Sequence, residues 1–140
     1  MRLPGILSSC TLRPGADPTT LEDAERRLGR ALPEEYRALL LETDGVEGFI
    51  GEHAYLMLFS VADMLPYNLE GGVAELLPGT VFIGSDGGGT AYGFRGEGER
   101  LEYLDVPWIG MEPDTVTVLG RSLVEMLENV VRRSWRELHG

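Results

Sequence analysis

Lysine is absent from this 140-residue chain, and all twelve basic residues are arginine. A phosphate-binding loop of the GxxxxGK[ST] type is therefore excluded. Cysteine occurs once, as Cys10, so no internal disulfide can form, which fits a reducing compartment. The two histidines, His53 and His139, lie far apart in sequence. They offer little to a metal centre or to a catalytic triad that needs a histidine base. No apolar run approaches the roughly 18 residues of a membrane span. Pro4 and Gly5 break the short apolar stretch at the N-terminus, which argues against a signal peptide. A cytoplasmic protein is expected.

What is present suffices for a packed core: 43% of residues are hydrophobic and 25% are charged. The exclusive use of arginine, with abundant Gly, Ala, Leu, Val and Glu, suggests the codon supply of a GC-rich genome, and a bacterial source is expected. The net charge of -11 is unevenly placed. Residues 38–120 hold fourteen acids against Arg95 and Arg100, a balance of -12; the flanks hold ten arginines and nine acids, a balance of +1. Such a middle segment repels nucleic acid and anionic membrane. Two readings of it stand: an acidic surface that aids solubility, or one that attracts a cationic protein.

Along the chain, prolines and glycines make residues 1–18 an irregular lead-in to a single domain over 19–140. Thr19 with Glu22 reads as a capping box opening a helix, with Leu21, Ala24 and Leu28 as its stripe and Gly29 as its stop. A second helix opens at Pro33, carries Tyr36, Leu39 and Leu40 inward, and ends at Asp44-Gly45; the short break implies that the two helices pack on each other. Strands follow at Tyr55–Phe59, Thr80–Ile83, Thr90–Phe94, Leu101–Leu104 and Thr115–Leu119. Ser60 caps a short helix or turn that should stop before Pro66, leaving a loop from Tyr67 to Gly72. A long last helix begins at Ser122 with Glu125, and Leu123, Leu127, Val130, Val131, Trp135 and Leu138 share one side. Arg132, Arg133 and Arg136 suit its C-terminal pole. The order predicts an α+β fold: a mainly antiparallel sheet, with two N-terminal helices and one long C-terminal helix packed on it.

The chemistry-bearing candidates are sparse. The glycine run Gly84–Gly89 reads as a hairpin turn needing positive φ, or as a small anion nest opposed by nearby acids. Asp86 and Asp105 lack the alternating oxygen ligands of a calcium loop, so no metal and no cofactor is expected. Paired carboxylates for glycoside hydrolysis remain open because acids are abundant. Trp108, in the segment 105–114, is either part of a loop folded back on the core or an aromatic anchor ringed by acids at a partner-binding edge. On the second reading the partner-facing residues are Asp86, Asp105, Trp108, Glu112 and Asp114, with Glu47 and Glu52 as outliers.

Three stretches in order resemble the SUKH superfamily, in particular its SMI/KNR-type domain. They are LEDAERRLGRALPEEYRALLLETDG (Leu21–Gly45), LLPGTVFIGSDGGGTAYGF (Leu76–Phe94) and the closing helix after Gly120. Thr90 stands where the family often has an acid, Asp44 where it usually has Asn, and Leu123 where an aromatic is common. The resemblance implies an α+β domain that binds protein and is not an enzyme. In bacteria it implies an immunity protein that neutralises a cognate toxin, often a nuclease and therefore basic. In fungi it implies a scaffold in cell-wall regulation, which is the alternative here. A monomer or weak homodimer is expected. A deep pocket with two facing acids would favour a third reading, an enzyme.

Overall fold

Asp17 and Pro18 fix the start of the first helix. The computed structural model describes residues 4–70 and 72–139, and for residues 73, 74 and 134–139 the backbone alone. Helix α1 spans Pro18–Leu28. The Asp17 carboxylate accepts from the Thr19 amide at 2.9 Å, and Pro18 holds the first helical position, where no N–H is required. The expected cap at Thr19 is thus corrected, because Thr19 is already the second residue of the helix. Gly29 closes α1 at φ 80°, donating to the carbonyls of Glu25 and Arg26.

Helix α2 spans Glu34–Glu42, with Pro33 extended at the N-cap rather than inside the first turn. Its buried stripe is Tyr36, Leu39 and Leu40, as the spacing predicts. The expected packing of α1 on α2 is not its main contact: α1 lies chiefly against α3 (Val61–Leu69). Glu25 ties α1 to the α2 entry instead, accepting from the Leu32 amide at 2.8 Å and from Arg37 Nε at 3.2 Å.

Among the described residues seven strands form one antiparallel sheet in sequence order: β1 Thr11–Leu12, β2 Val46–Ile50, β3 Ala54–Leu58, β4 Thr80–Ser85, β5 Thr90–Arg95, β6 Glu102–Pro107 and β7 Thr117–Gly120. The fold is α+β. The chain ahead of α1 takes part in it: Leu7 is buried, and Thr11 and Leu12 pair with Glu47 and Val46. Alternation along the strands divides the sheet into two faces. Val46, Ile50, Leu56, Ile83, Phe94 and Tyr103 share a core with side chains of α1, α2, α3 and the C-terminal helix. Phe82, Ala91, Leu104 and Val106 point the other way, into a smaller core closed by Leu77, Met111 and the partly buried Trp108 and Val116.

Helix α3 does not stop at Pro66, and the expected loop from Tyr67 is helical to Leu69. Tertiary contacts override the break. Strand β3 pairs with β4 only at Met57–Ser85 and Leu58–Gly84, which leaves the first half of β4 short of a neighbour. Asn68 fills that gap like a fragment of strand: its amide oxygen accepts from Phe82 N at 2.7 Å, while its nitrogen donates to Phe82 O at 2.8 Å and to Met64 O at 2.9 Å. The ring of Tyr67 stacks on Phe59 with centroids 4.4 Å apart. A single turn, α4 (Val73–Leu76), leads into β4.

The last helix, α5, spans Leu123–His139 and crosses β3, β6 and β7. Ser122 Oγ accepts from the Glu125 amide, but the Glu125 carboxylate reaches back to the Arg121 amide rather than to Ser122. The expected box therefore closes one residue further out. Leu123, Leu127 and Val130 are buried as their spacing predicts, and Met126 joins them. The roles expected of Trp135, Arg136 and Leu138 lie outside the described residues. Asn129 donates to Leu119 O at 2.5 Å, occupying a backbone acceptor of the β7 edge. Among the described residues no helix is long and apolar enough to cross a membrane.

Candidate protein-binding surface

The glycine turn between β4 and β5 spends its backbone donors on its own side chains. Asp86 Oδ1 accepts from the amides of Gly88 at 2.8 Å and Thr90 at 3.1 Å. Ser85 Oγ accepts from the Gly87 amide at 3.1 Å and donates to Thr90 O at 2.9 Å. Those amides are therefore turned toward Asp86 and Ser85, which weakens the anion-nest reading. Gly87 has φ 81°, and a Cβ there would lie 3.1 Å from the Tyr55 ring. Both its conformation and its closeness to Tyr55 call for glycine.

On the other side of the turn stands Trp108. Its amide donates to Gly89 O at 2.9 Å and its indole Nε1 reaches Ser85 Oγ at 3.4 Å. The ring lies 5.8 Å from Phe82 and 5.4 Å from Tyr67, centroid to centroid. The tryptophan is thus the partly buried end of an aromatic row running through Tyr67 to Phe59. Ile109, next in sequence, is 92% exposed.

Glu112 and Asp114 are exposed at the 3-10 turn Pro113–Thr115. The Thr115 hydroxyl accepts from the Glu112 amide at 3.1 Å, and buried Met111 anchors the loop. The sheet brings Asp86 and Trp108 together around Ser85, while Glu112 and Asp114 stand on the loop that Trp108 begins. Asp105 faces elsewhere. It is 3% exposed on the helical side of the sheet, and Arg133 of α5 holds its two oxygens at 2.8 and 2.7 Å.

Asp86 and Asp105 do line one cleft of about 220 Å³, together with His53, Tyr92 and Arg133. Small-molecule sites usually measure about 300–1,000 Å³. One carboxylate is engaged by turn amides and the other by a guanidinium, so each is committed to holding backbone or helix in place. Among the described residues no group of three or more His, Cys, Asp or Glu is arranged to hold a metal ion.

A second exposed cluster went unnoticed in the sequence. On the face opposite the helices, β2 and β3 present Glu47, Phe49, Tyr55 and Met57. Phe49 is 55% exposed and meets Tyr55 edge-on, with centroids 5.1 Å apart. The Tyr55 hydroxyl donates to Glu47, and the carboxylate beside it raises the phenol's pKa above its ordinary value. Strand β2, VEGFI (46–50), offers little signal: Phe49 and Ile50 are both apolar, which breaks the alternation, and Gly48 interrupts its centre.

A model described as the SMI1 / KNR4 family (SUKH-1) matches residues 15–129. The chain belongs to this family. No curated protein matches it. The SUKH-1 match takes in α1 through β7 and the first turns of α5; it leaves out β1 and Arg133. Both outer-face clusters, and the glycine turn between them, lie inside the matched part of this SUKH-1 domain.

Proposed function

We propose that this SUKH-1 domain is a non-enzymatic binding module that neutralises a cognate, basic protein toxin. The observation that carries this reading is the charge of the sheet-forming segment: residues 38–120 hold fourteen acids and two arginines. Glu112 and Asp114 stand exposed on the Trp108 loop, where they supply a field that steers a cationic protein. Asp86 adds to that field from the turn. Trp108 acts from beneath as the support of the loop, and Asp105 acts indirectly by fixing α5. The tied carboxylates of the small cleft favour this reading over catalysis.

Co-expression with a toxin domain encoded beside the gene should restore growth, and the purified pair should form a complex. In that complex the double change Glu112→Arg with Asp114→Arg should slow association by roughly tenfold at low salt and flatten its salt dependence. Absence of both rescue and complex would remove the toxin reading, leaving the cell-wall scaffold role of the fungal relatives as the alternative.

A further inference from the structure

The outer face of the sheet is roofed over its middle strands and bare over its first hairpin. Across β4–β6, the side chains of Phe82, Leu104 and Val106 lie beneath Leu77, Trp108 and Met111. Across β2–β3 the same face ends in Phe49, Tyr55 and Met57, and more than half of the Phe49 surface remains in water. Tyr55 supports it edge-on and is itself held by Glu47 on one side and packed by Gly87 on the other. An aromatic fixed in this way loses little conformational freedom when it is buried by a partner.

Acids dominate the surroundings of this patch, and Arg133 lies beyond Tyr55 and Asp86 in the cleft that both line. Glu47 lies within it, Glu52 sits in the hairpin turn and Asp86 in the glycine turn beside Tyr55. Among the described residues no arginine pairs with any of the three. A second copy of the chain is a poor occupant, because a two-fold contact here would set Glu47 against Glu47 between molecules of net charge -11. Both strands already have a neighbour on each outer side, β1 at Val46 and Glu47 and β4 at Met57 and Leu58, which leaves only short stretches for strand addition.

We propose that the bare β2–β3 face is the docking surface for a basic protein partner, with Phe49 as the buried anchor and Glu47 as an acceptor for its Arg or Lys side chains. The proposal rests on the toxin-binding reading above and adds where the partner sits. Anchors of this kind, an aromatic in a desolvated pocket with a charged rim, dominate interface energetics.

The test uses the intact chain and the purified toxin domain encoded beside the gene, inactivated by substitution. Phe49→Ala should weaken the complex by about 30-fold or more, with an unchanged melting temperature because the side chain is mostly exposed. Glu47→Arg should slow association by about tenfold at low salt. Hydrogen exchange in the complex should slow at residues 46–58 and 86–89. Wild-type affinity for Phe49→Ala, or protection confined to 108–116, overturns the proposal while leaving toxin binding intact. A free-chain dimer that Phe49→Ala dissolves also overturns it, assigning the face to a second copy. If no complex forms and growth is not rescued, the toxin reading itself has failed, and this proposal with it.

Discussion

At the scale of single residues, polar side chains on helices complete backbone pairing that the strands leave open. Asn68 is the clearest case, because its amide meets both the donor and the acceptor of Phe82 while also reaching Met64 O. Glu35 works in a related way: one oxygen accepts from the Tyr103 hydroxyl at 2.8 Å and from the Leu123 amide at 2.7 Å, joining α2, β6 and the start of α5. Removing one partner from such a set leaves the other desolvated and unpaired, which costs more than the net value of a hydrogen bond. Asn68→Ala should therefore lower stability by about 2–3 kcal/mol, read as a reduced urea midpoint. Asn68→Asp, which keeps the acceptor for Phe82 N but sets a carboxylate oxygen against the carbonyls of Phe82 and Met64, should be no more stable than the alanine variant. An alanine variant as stable as the parent would mean that water replaces the amide without penalty.

At the scale of elements, the sequence was most legible where period and stop signals agreed. The stripe of α2, the start of the α5 stripe (Leu123, Leu127, Val130) and the strands on either side of the glycine turn followed from spacing alone. Elements whose existence depends on distant partners were not legible. Two-residue β1 has no pattern of its own, and β2 is interrupted by Gly48, which packs against the Cys10 backbone: a Cβ there would lie 3.0 Å from Cys10 Cα. The continuation of α3 through Pro66 is accompanied by the Tyr67–Phe59 stack and by the Asn68 bonds to Phe82, a residue of a later strand that no local pattern announces. The candidate site divides in the same way. Acids in loops were visible, but loop position did not reveal that Asp105 points inward to Arg133, nor that Phe49 stands uncovered. The start of α1 gives a direct check on how such local signals compete. Asp17→Ala should cost about 1 kcal/mol, whereas Thr19→Ala should stay within about 0.5 kcal/mol. Thermal unfolding of the two variants separates the caps, and a larger loss at Thr19 would restore the capping box read from the sequence.

At the scale of the whole molecule, the absence of lysine makes the alkaline limit of stability a report on tyrosines. Burial, reinforced by Asp44, pushes the Tyr36 phenol far above its ordinary pKa of 10.0. Burial does the same to Tyr103, with Glu35 beside it adding to the effect. In the unfolded chain both phenols release their protons near their ordinary value, whereas in the fold they keep them. The folded state therefore binds more protons above that value. The stabilisation is complete below about pH 10 and is lost as pH rises toward the folded pKa values. Each buried phenol should contribute a slope of about 1.4 kcal/mol per pH unit across that window. Arginine stays charged throughout it, so the loss is not blurred by a cationic side chain. Urea midpoints taken between about pH 9 and about pH 11 should fall steeply, together with the rise of phenolate absorbance. Tyr36→Phe gives up only a 3.2 Å bond to Phe59 O, so it should remain folded and remove about half of the slope due to the two phenols. A Tyr36→Phe chain that lost stability with pH as steeply as the parent would show that the buried phenols do not set the alkaline limit.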